Sequence, residues 1–561
     1  MDDETARRRD SLERAWVHWR PRTLSELFDV VVERFADDPF VLVDGSTLTY
    51  REVRRWSRRI ARGLIDLGVH PGDKVALLCD NRPELVAMKL AVSRIGAVAV
   101  PLNFSYRGAE LTSALRHAQA SMLVTIGKSL ATDFLAVLDE VAPNWERTVG
   151  SADVPSLRQV VLVDPGRPGA MTLEDVADRA DNVSDAALDR VSSQVDPDGA
   201  CDIVFTSGTS GLPVAAELTH DMVLRSGYGS AYHRAFAPGW RVCFSLPLYH
   251  VFGYIEGLVA SMFAGGAIVP RQIFNPDTML RAVEQHGANE LLLVPTMSVA
   301  VVERAAQHHY DLSSLESVFS AAAPAPVWLW ERVQRDLGPR TVFTGYGQTE
   351  VSAATTLTMP GDPLDVVAET VGCTKLGGLA APPGMSGRLA EYRTVDPFDG
   401  SELPPGAAGE LAARGPIVTR SYHGDPDRTA ALITDGWLRT GDLGRVDDAG
   451  YLRLTGRARE LYKCGGELVA PKEVEDLLTA HPGVAQAYVA GVPDERMGEV
   501  GWAWVVPDGE VDLDPVALVR YCRERLAPFK APRRVALVAA DDLPKTPTGK
   551  VQKFRLVESA R

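Results

Sequence analysis

The sequence predicts a layered α/β protein with a β-rich subdomain and a small α+β unit toward its C-terminal end, and three observations predict it. Over the first few hundred residues, short apolar runs alternate with segments of helical periodicity. From about Gly384 to Tyr451 the pattern changes to short strands separated by Gly/Pro turns. After the charged joint Gly456-Arg457-Ala458-Arg459, the remaining residues read as one compact unit.

Each element has a local reason. Val53, Trp56, Ile60 and Leu64 recur at helical spacing, and Gly68 and Pro71-Gly72 break the pattern before a strand at Lys74–Cys79. A helix from Pro83 to Ile95 stops at Gly96 and leads into a strand at Ala97–Leu102. Further strands follow near Cys201–Phe205, Arg241–Leu246 and Leu291–Val294, and Thr341–Phe343 is a short apolar segment. In the last unit a helix is predicted at Pro471–Leu478, with strands at Ala485–Gly491 and Val500–Val506.

Composition bounds the function. A chain of 561 residues, 45% hydrophobic, builds several domains or subdomains. The net charge of -15 is spread along the chain, which argues against a nucleic-acid partner. Six scattered cysteines, with no CxxC or Cys/His pairing, predict free thiols and a cytoplasmic setting. Met1-Asp2-Asp3-Glu4 has no signal-peptide core, and the apolar runs are too short or too interrupted to span a bilayer.

Five motifs carry chemistry. The first is Thr206-Ser207-Gly208-Thr209-Ser210-Gly211-Leu212-Pro213-Val214, directly after the strand-like Ile203-Val204-Phe205. Glycines admit a close backbone approach and hydroxyls with free N–H groups supply donors, so the loop can cradle a phosphate. The second, Gly345-Tyr346-Gly347-Gln348-Thr349-Glu350, sets an aromatic face, a hydroxyl and a carboxylate within a few residues. It suits a nucleobase, a phosphate and Mg²⁺, and by itself it also reads as a strand-end turn with a core tyrosine.

The third motif, Thr440-Gly441-Asp442, offers a carboxylate on a tight turn that can accept two ribose hydroxyls; alone it is a surface turn. The fourth joins Arg457 and Arg459 to Lys463-Cys464-Gly465-Gly466-Glu467, either a passage for a narrow ligand or a plain hairpin. The last, Pro544-Lys545-Thr546-Pro547-Thr548-Gly549-Lys550, places a lysine on a Pro/Gly loop.

In this order the five motifs resemble the adenylate-forming superfamily, in particular its acyl-CoA synthetase and ligase branch, from about Leu48 to Lys550. The resemblance implies a large AMP-binding domain of α/β subdomains with a β-barrel at 1–456, a hinge at 457–459 and a small mobile lid domain at 460–561. It also implies the chemistry: a carboxylate and ATP give acyl-AMP and pyrophosphate, and the thiol of coenzyme A then displaces AMP.

Residue by residue, the resemblance implies that Thr349 contacts the α-phosphate and Glu350 the Mg²⁺. Tyr346 with Ala322-Ala323-Pro324 would sandwich adenine, and Asp442 with Arg457 would fix the ribose. Thr206 to Gly211 would hold phosphates, Lys550 would bridge carboxylate and α-phosphate, and Gly465-Gly466 would line the pantetheine path. His250, in Pro247-Leu248-Tyr249-His250-Val251-Phe252-Gly253, matches a gate beside the acyl and thiol sites, with a core histidine as the alternative. Arg459 matches the hinge.

One departure stands out. The family pattern ends Pro-Lys-Gly, whereas this chain reads Pro213-Val214-Ala215-Ala216-Glu217. Loss of the lysine removes a charge-assisted contact to the β/γ-phosphates worth about 1.5–3 kcal/mol, enough to slow adenylation roughly 10- to 100-fold. Acyl-AMP has neither of those phosphates. The expectation is therefore an intact thioester-forming half with adenylation weak or absent, and a partner ligase that supplies the adenylate. An ordinary two-step ATP-dependent synthetase and a non-catalytic adenylate-binding protein are the alternatives.

Two other classes fit less well. Aminoacyl adenylation needs an Asp near His250-Val251-Phe252-Gly253, and Leu376-Gly377-Gly378-Leu379 has no carrier serine. Luciferase-type oxygenation requires a special substrate. Small residues at Ala321-Ala322-Ala323 and Gly227-Tyr228-Gly229 suggest room for a bulky apolar carboxylic acid.

Overall fold

The computed structural model describes residues 3–129, 132–146, 152–206, 214–464, 467–494, 496–509, 511, 513–545 and 551–559. The chain divides into two compact units: residues 1–391 with 413–438, and residues 392–412 with 439–561.

The first unit is built on two seven-stranded sheets. One runs, edge to edge, Thr341–Phe343, Ser317–Ser320, Glu290–Leu293, Arg241–Phe244, Ala267–Pro270, Pro39–Val43 and Ser46–Thr49. All its pairings are parallel except the last. The other runs Val214–Thr219, Ala200–Thr206, Val98–Pro101, Lys74–Leu78, Met122–Thr125, Gln159–Leu162 and Met171–Thr172, again parallel except at its first pair. Strands such as Val98–Pro101 and Glu290–Leu293 are buried at every position, as strands covered by helices on both faces must be.

The helices form where the apolar spacing places them. Tyr50–Asp66 begins with a reciprocal capping box between Thr49 and Glu52 and buries Val53, Ile60 and Leu64. Pro83–Arg94 starts with proline in its first turn and ends one residue short of the predicted stop. Its Lys89 reaches a buried ion pair with Asp202 on the neighbouring strand, while the Tyr254 ring lies 3.8 Å from the ammonium.

A five-stranded sheet combines Glu391–Val395, Gly409–Arg414, Trp437–Val446 and Ile433–Thr434, with Leu452–Arg457 paired to Trp437–Val446. Among the described residues no pairing closes it, so the expected β-barrel is present only as a half-barrel. The rest of the second unit is α+β. Val484–Asp494 and Gly498–Pro507 form a long antiparallel pair, joined by Arg534–Leu537 and the short strands Tyr462–Cys464 and Glu467–Val469. Helices Pro471–Thr479 and Pro515–Arg523 bury Val474, Leu478, Leu518 and Cys522 into its core. Lys553 ties this unit together through ion pairs with Glu460 and Glu475, each at 2.6 Å.

All six cysteines are free and buried. Among the described residues no helix is long and apolar enough to cross a membrane.

Candidate functional site

In the first unit, candidate residues leave the carboxyl ends of adjacent parallel strands, where open α/β sheets bind ligands. Phe319 lies opposite Phe343 in parallel register, so the segments after Ser320 and Phe343 start side by side. The first of them is Ala321-Ala322-Ala323-Pro324 and the second Thr344-Gly345-Tyr346. Ala322, Ala323 and Pro324 are exposed, while Tyr346 is buried. Ala322 holds φ at 74°, a left-handed backbone that a residue with a Cβ resists.

Tyr346 sits on Gly345–Gln348, paired with Ala353–Leu357. Its N–H donates to the Thr356 hydroxyl at 3.2 Å, and its carbonyl accepts from the Thr355 hydroxyl at 3.2 Å. Glycine at 347 is required because a Cβ there would stand 1.7 Å from the Ala353 carbonyl oxygen. The strand then turns through a short 3₁₀ segment, Thr349–Val351. Thr349 is buried and Glu350 is part-buried.

Glu350 is positioned from a segment seventy residues further on. Thr419 donates its N–H to the Glu350 carbonyl at 2.7 Å, and the Tyr422 hydroxyl donates to the Glu350 carboxylate at 3.4 Å. The same segment pairs with the strand that returns from the phosphate loop. Tyr422 bridges Ala216, and the N–H groups of Glu217 and His423 donate to the carbonyls of Ser421 and Ala215. Side chains alternate across a strand, so Val214, Ala216 and Tyr422 share one face and Ala215, Glu217 and His423 the other. The family's lysine position therefore lies on the face whose Tyr422 reaches Glu350.

Thr206 pairs with Val214 across the neck of the loop, and its hydroxyl donates to the Val214 carbonyl at 3.4 Å. Val214, Ala215 and Ala216 are buried. Glu217, three residues beyond Val214, is committed to His423 and Ser421. Its carboxylate sits 2.7 Å from His423 Nδ1 and accepts from the Ser421 hydroxyl at 2.7 Å. His423 and Ser421 hold that carboxyl below its usual range. Ser207, Gly208, Thr209, Ser210 and Gly211 lie outside the described residues, as do Gly465, Gly466 and Lys550.

His250 precedes a wide helix, Phe252–Val259, wound with i→i+5 bonds of the kind that gathers at functional sites. Its Nδ1 accepts from the Phe252 N–H at 3.3 Å, which assigns the remaining ring proton to Nε2. Burial alone pushes the imidazole down to about 4, so the ring is neutral at physiological pH. Sequence reasoning missed Asn81, which anchors this loop. Its Oδ1 accepts from the Leu248 N–H at 2.8 Å and its amide donates to the carbonyls of Leu246 and Arg271. No motif marks a lone asparagine from another sheet.

The small residues at 227–229 do not open a pocket. Cβ atoms at Gly227 and Gly229 would come within 2.4 Å of Val259 and Leu389 side chains, and Tyr228 is fully buried. These glycines let helix His220–His233 pack closely, which corrects the expectation that they make room for an acyl group.

In the second unit, Asp442 and Arg457 face each other on paired strands, with Arg457 Nε 3.1 Å from Asp442 Oδ1. Thr440-Gly441-Asp442, expected as a tight turn, lies inside the strand Trp437–Val446, where Gly441 takes a φ of 73° and donates its N–H to Glu410 at 3.1 Å. Arg459 lies in the 3₁₀ segment Ala458–Glu460. Cys464 pairs with Glu467 on the strands flanking the two glycines. Lys545 is exposed and donates to the Ala540 carbonyl at 2.8 Å.

Among the described residues no group of three or more His, Cys, Asp or Glu side chains is arranged to hold a metal. A single carboxylate at Glu350 fits Mg²⁺ only as a complement to phosphate oxygens and water, the mode in which Mg²⁺ travels with a nucleotide.

Comparison with known proteins gives the same frame. The AMP-binding enzyme family pattern matches residues 28–423, and the AMP-binding enzyme C-terminal domain matches residues 473–550. A (7a-methyl-1,5-dioxo-octahydro-1H-inden-4-yl)propanoyl:CoA ligase of Mycobacterium tuberculosis is 36% identical over 541 residues, covering 96% of this chain and 99% of the relative. A mitochondrial medium-chain acyl-CoA ligase of Danio rerio is 30% identical, covering 96% of this chain and 88% of its own. ATP-bound MatB from Rhodopseudomonas palustris superposes with a TM-score of 0.78 at 27% identity, covering 95% of this chain and 98% of that one.

Proposed function

The chain belongs to the AMP-binding enzyme family and is an acyl-CoA ligase, and from that premise we propose that it works chiefly on acyl-adenylates, with the ATP-dependent half-reaction impaired. One observation carries this reading: at the neck of the phosphate loop, Val214 occupies the lysine position on the strand face shared with Tyr422, which reaches Glu350. No cation takes up β- and γ-phosphate charge from that position.

In the productive half-reaction the sulfur of coenzyme A attacks the acyl carbon of acyl-AMP. A C–S bond forms, the C–O bond to the phosphate breaks, AMP leaves with the bonding pair, and the thiol proton passes to solvent. Thr349 binds the α-phosphate, Tyr346 and Ala322-Ala323-Pro324 flank adenine, and Asp442, oriented by Arg457, accepts the ribose hydroxyls. Glu350 would hold Mg²⁺ when a nucleoside triphosphate binds, and the ion would supply charge neutralisation at the phosphates. Lys550 bridges the carboxylate and the α-phosphate, and Gly465-Gly466 line the pantetheine path, with 457–459 as the hinge. His250 is too weak a base at neutral pH to take the thiol proton, so its role is that of a hydrogen-bonding gate.

The substrate class is an apolar carboxylic acid, or its adenylate, from a partner ligase. The uncharged Ala321–Ala323 segment supports it, and relatives named for a fused-ring propanoyl group and for medium-chain acyl groups fit the same class. The test uses two mixtures: acid, ATP and coenzyme A, against synthetic acyl-AMP and coenzyme A. Faster thioester formation from acyl-AMP by roughly 10- to 100-fold is expected. Equal rates from both mixtures would establish an ordinary two-step synthetase instead.

A further inference from the structure

The turn that carries Thr349 and Glu350 ends in two consecutive left-handed residues, Ser352 at φ 55° and Ala353 at φ 76°. Neither is glycine, so the surrounding structure must hold them there. Ala353 cannot relax toward its neighbour strand, because its carbonyl already presses against Gly347 of the adenylate motif.

What holds them is a fully buried cluster of charge. Lys375 Nζ donates to the Ser226 carbonyl at 3.1 Å, to the Ser226 hydroxyl oxygen at 2.8 Å and to the Ser230 hydroxyl oxygen at 3.0 Å. It lies 3.4 Å from Glu256 Oε1. The Ser226 hydroxyl donates in turn to the Ser352 carbonyl. From the other side, Glu256 Oε1 accepts the Ala354 N–H at 3.1 Å. The polar groups on either side of Ala353 are thus gripped by the two ends of one Lys–Glu pair.

Glu256 stands on the wide helix that follows His250, so the same pair links the adenylate turn to the gate. Behind it, Arg234 reaches both Glu256 and Glu290, and Glu290 accepts from the Ser317 hydroxyl at 2.8 Å. Buried ion pairs seldom add net stability over an apolar core of the same volume, and their better-attested use is to fix one conformation.

We infer that Lys375 and Glu256 are positioning residues, which hold the Ser352–Ala353 kink and thereby set Thr349 and Glu350 against the helix that begins beyond His250. The inference rests on the reading of Thr349 and Glu350 as adenylate ligands. It goes further by assigning their geometry to residues outside every family motif discussed above.

The experiment measures AMP binding by calorimetry, and thermal unfolding, for the full chain and three variants: Ser226→Ala, Glu256→Gln and Glu290→Gln. Ser226→Ala removes one hydroxyl from the clamp and keeps the buried charges. Roughly tenfold weaker AMP binding is expected for Ser226→Ala and Glu256→Gln. Glu290→Gln, which disturbs the cluster without touching the turn, is expected to unfold at lower temperature with AMP affinity within about twofold of the parent. In acyl-AMP turnover, Ser226→Ala is expected to raise KM and leave kcat close to the parent value. Unchanged AMP affinity in Ser226→Ala, or an equal loss in Glu290→Gln, overturns the inference. A folded parent that binds no AMP overturns the adenylate reading itself, whatever the variants do. Should Glu256→Gln fail to fold, Ser226→Ala decides.

Discussion

Arg457 Nε lies 3.1 Å from Asp442 Oδ1 across a pair of antiparallel strands, a fixed orientation for the carboxylate to which the proposed function gives the ribose. Asp442→Ala removes the acceptor and strands the guanidinium. AMP affinity measured by calorimetry is expected to fall by roughly 10- to 100-fold, the range for charge-assisted hydrogen bonds. Asp442→Asn, which keeps the shape and loses the charge, should fall between the two.

Restoring the loop is the direct test of the functional reading. Val214→Lys combined with Ala215→Gly is expected to raise thioester formation from acid, ATP and coenzyme A by about tenfold or more. The rate from acyl-AMP should stay where it was, since that substrate presents no β- or γ-phosphate. A rise in both rates alike would point to a general effect on the strand.

The Tyr422 hydroxyl donates to the Glu350 carboxylate at 3.4 Å. Tyr422→Phe keeps the ring and removes the donor. In ATP-dependent assays the Mg²⁺ concentration at half-maximal rate is expected to move by roughly two- to fivefold, as a carboxylate that has lost one donor is less well placed for the ion.

Acid should destabilise the fold through its buried histidines. Burial lowers His220 and His250 from 6.5 to about 4 and holds His233 well below its ordinary value. Between those limits the unfolded chain binds protons that the folded chain does not, so stability falls as pH drops from 6.5 toward 4. Each of the first two contributes up to about 3 kcal/mol across that window. Denaturant titrations at pH 7 and pH 5 check it. His220→Asn keeps an acceptor for the Leu24 N–H and does not titrate, so it should flatten the dependence.

Ala322 at φ 74° is strained by its own methyl group. Ala322→Gly is expected to stabilise the fold by about 1 kcal/mol, read as a higher midpoint in denaturant, at an exposed position that disturbs no packing. A loss of stability would mean the entropy of the unfolded glycine outweighs the relief.

Much of the frame was legible in the sequence because its signals are local. The spacing of Val53, Ile60 and Leu64 places a helix whose start is written in Thr49 and Glu52, and the strand expected at Lys74–Cys79 forms over Lys74–Leu78. The Asp442–Arg457 pair was reachable only through the ordered set of motifs, since fourteen residues of strand and turn separate them. Glu217 could not be placed, because His423 and Ser421 approach it from two hundred residues away. Lys375 and Glu256 were invisible for the same reason: each looks like an ordinary charge until the fold buries both. Gly227 and Gly229 misled because a missing side chain reads alike whether it leaves space or admits a neighbour.

A mixed anhydride does not choose its sulfur, and that gives the buried cysteines a meaning beyond packing. Burial raises Cys79 and Cys201 far from thiolate, and Cys243 and Cys522 to about 12 and 11. Cys464, beside the path assigned to pantetheine, is likewise raised by burial. Five of the six buried thiols are thus held away from thiolate, which disfavours their acylation and leaves the group for the thiol that arrives from outside.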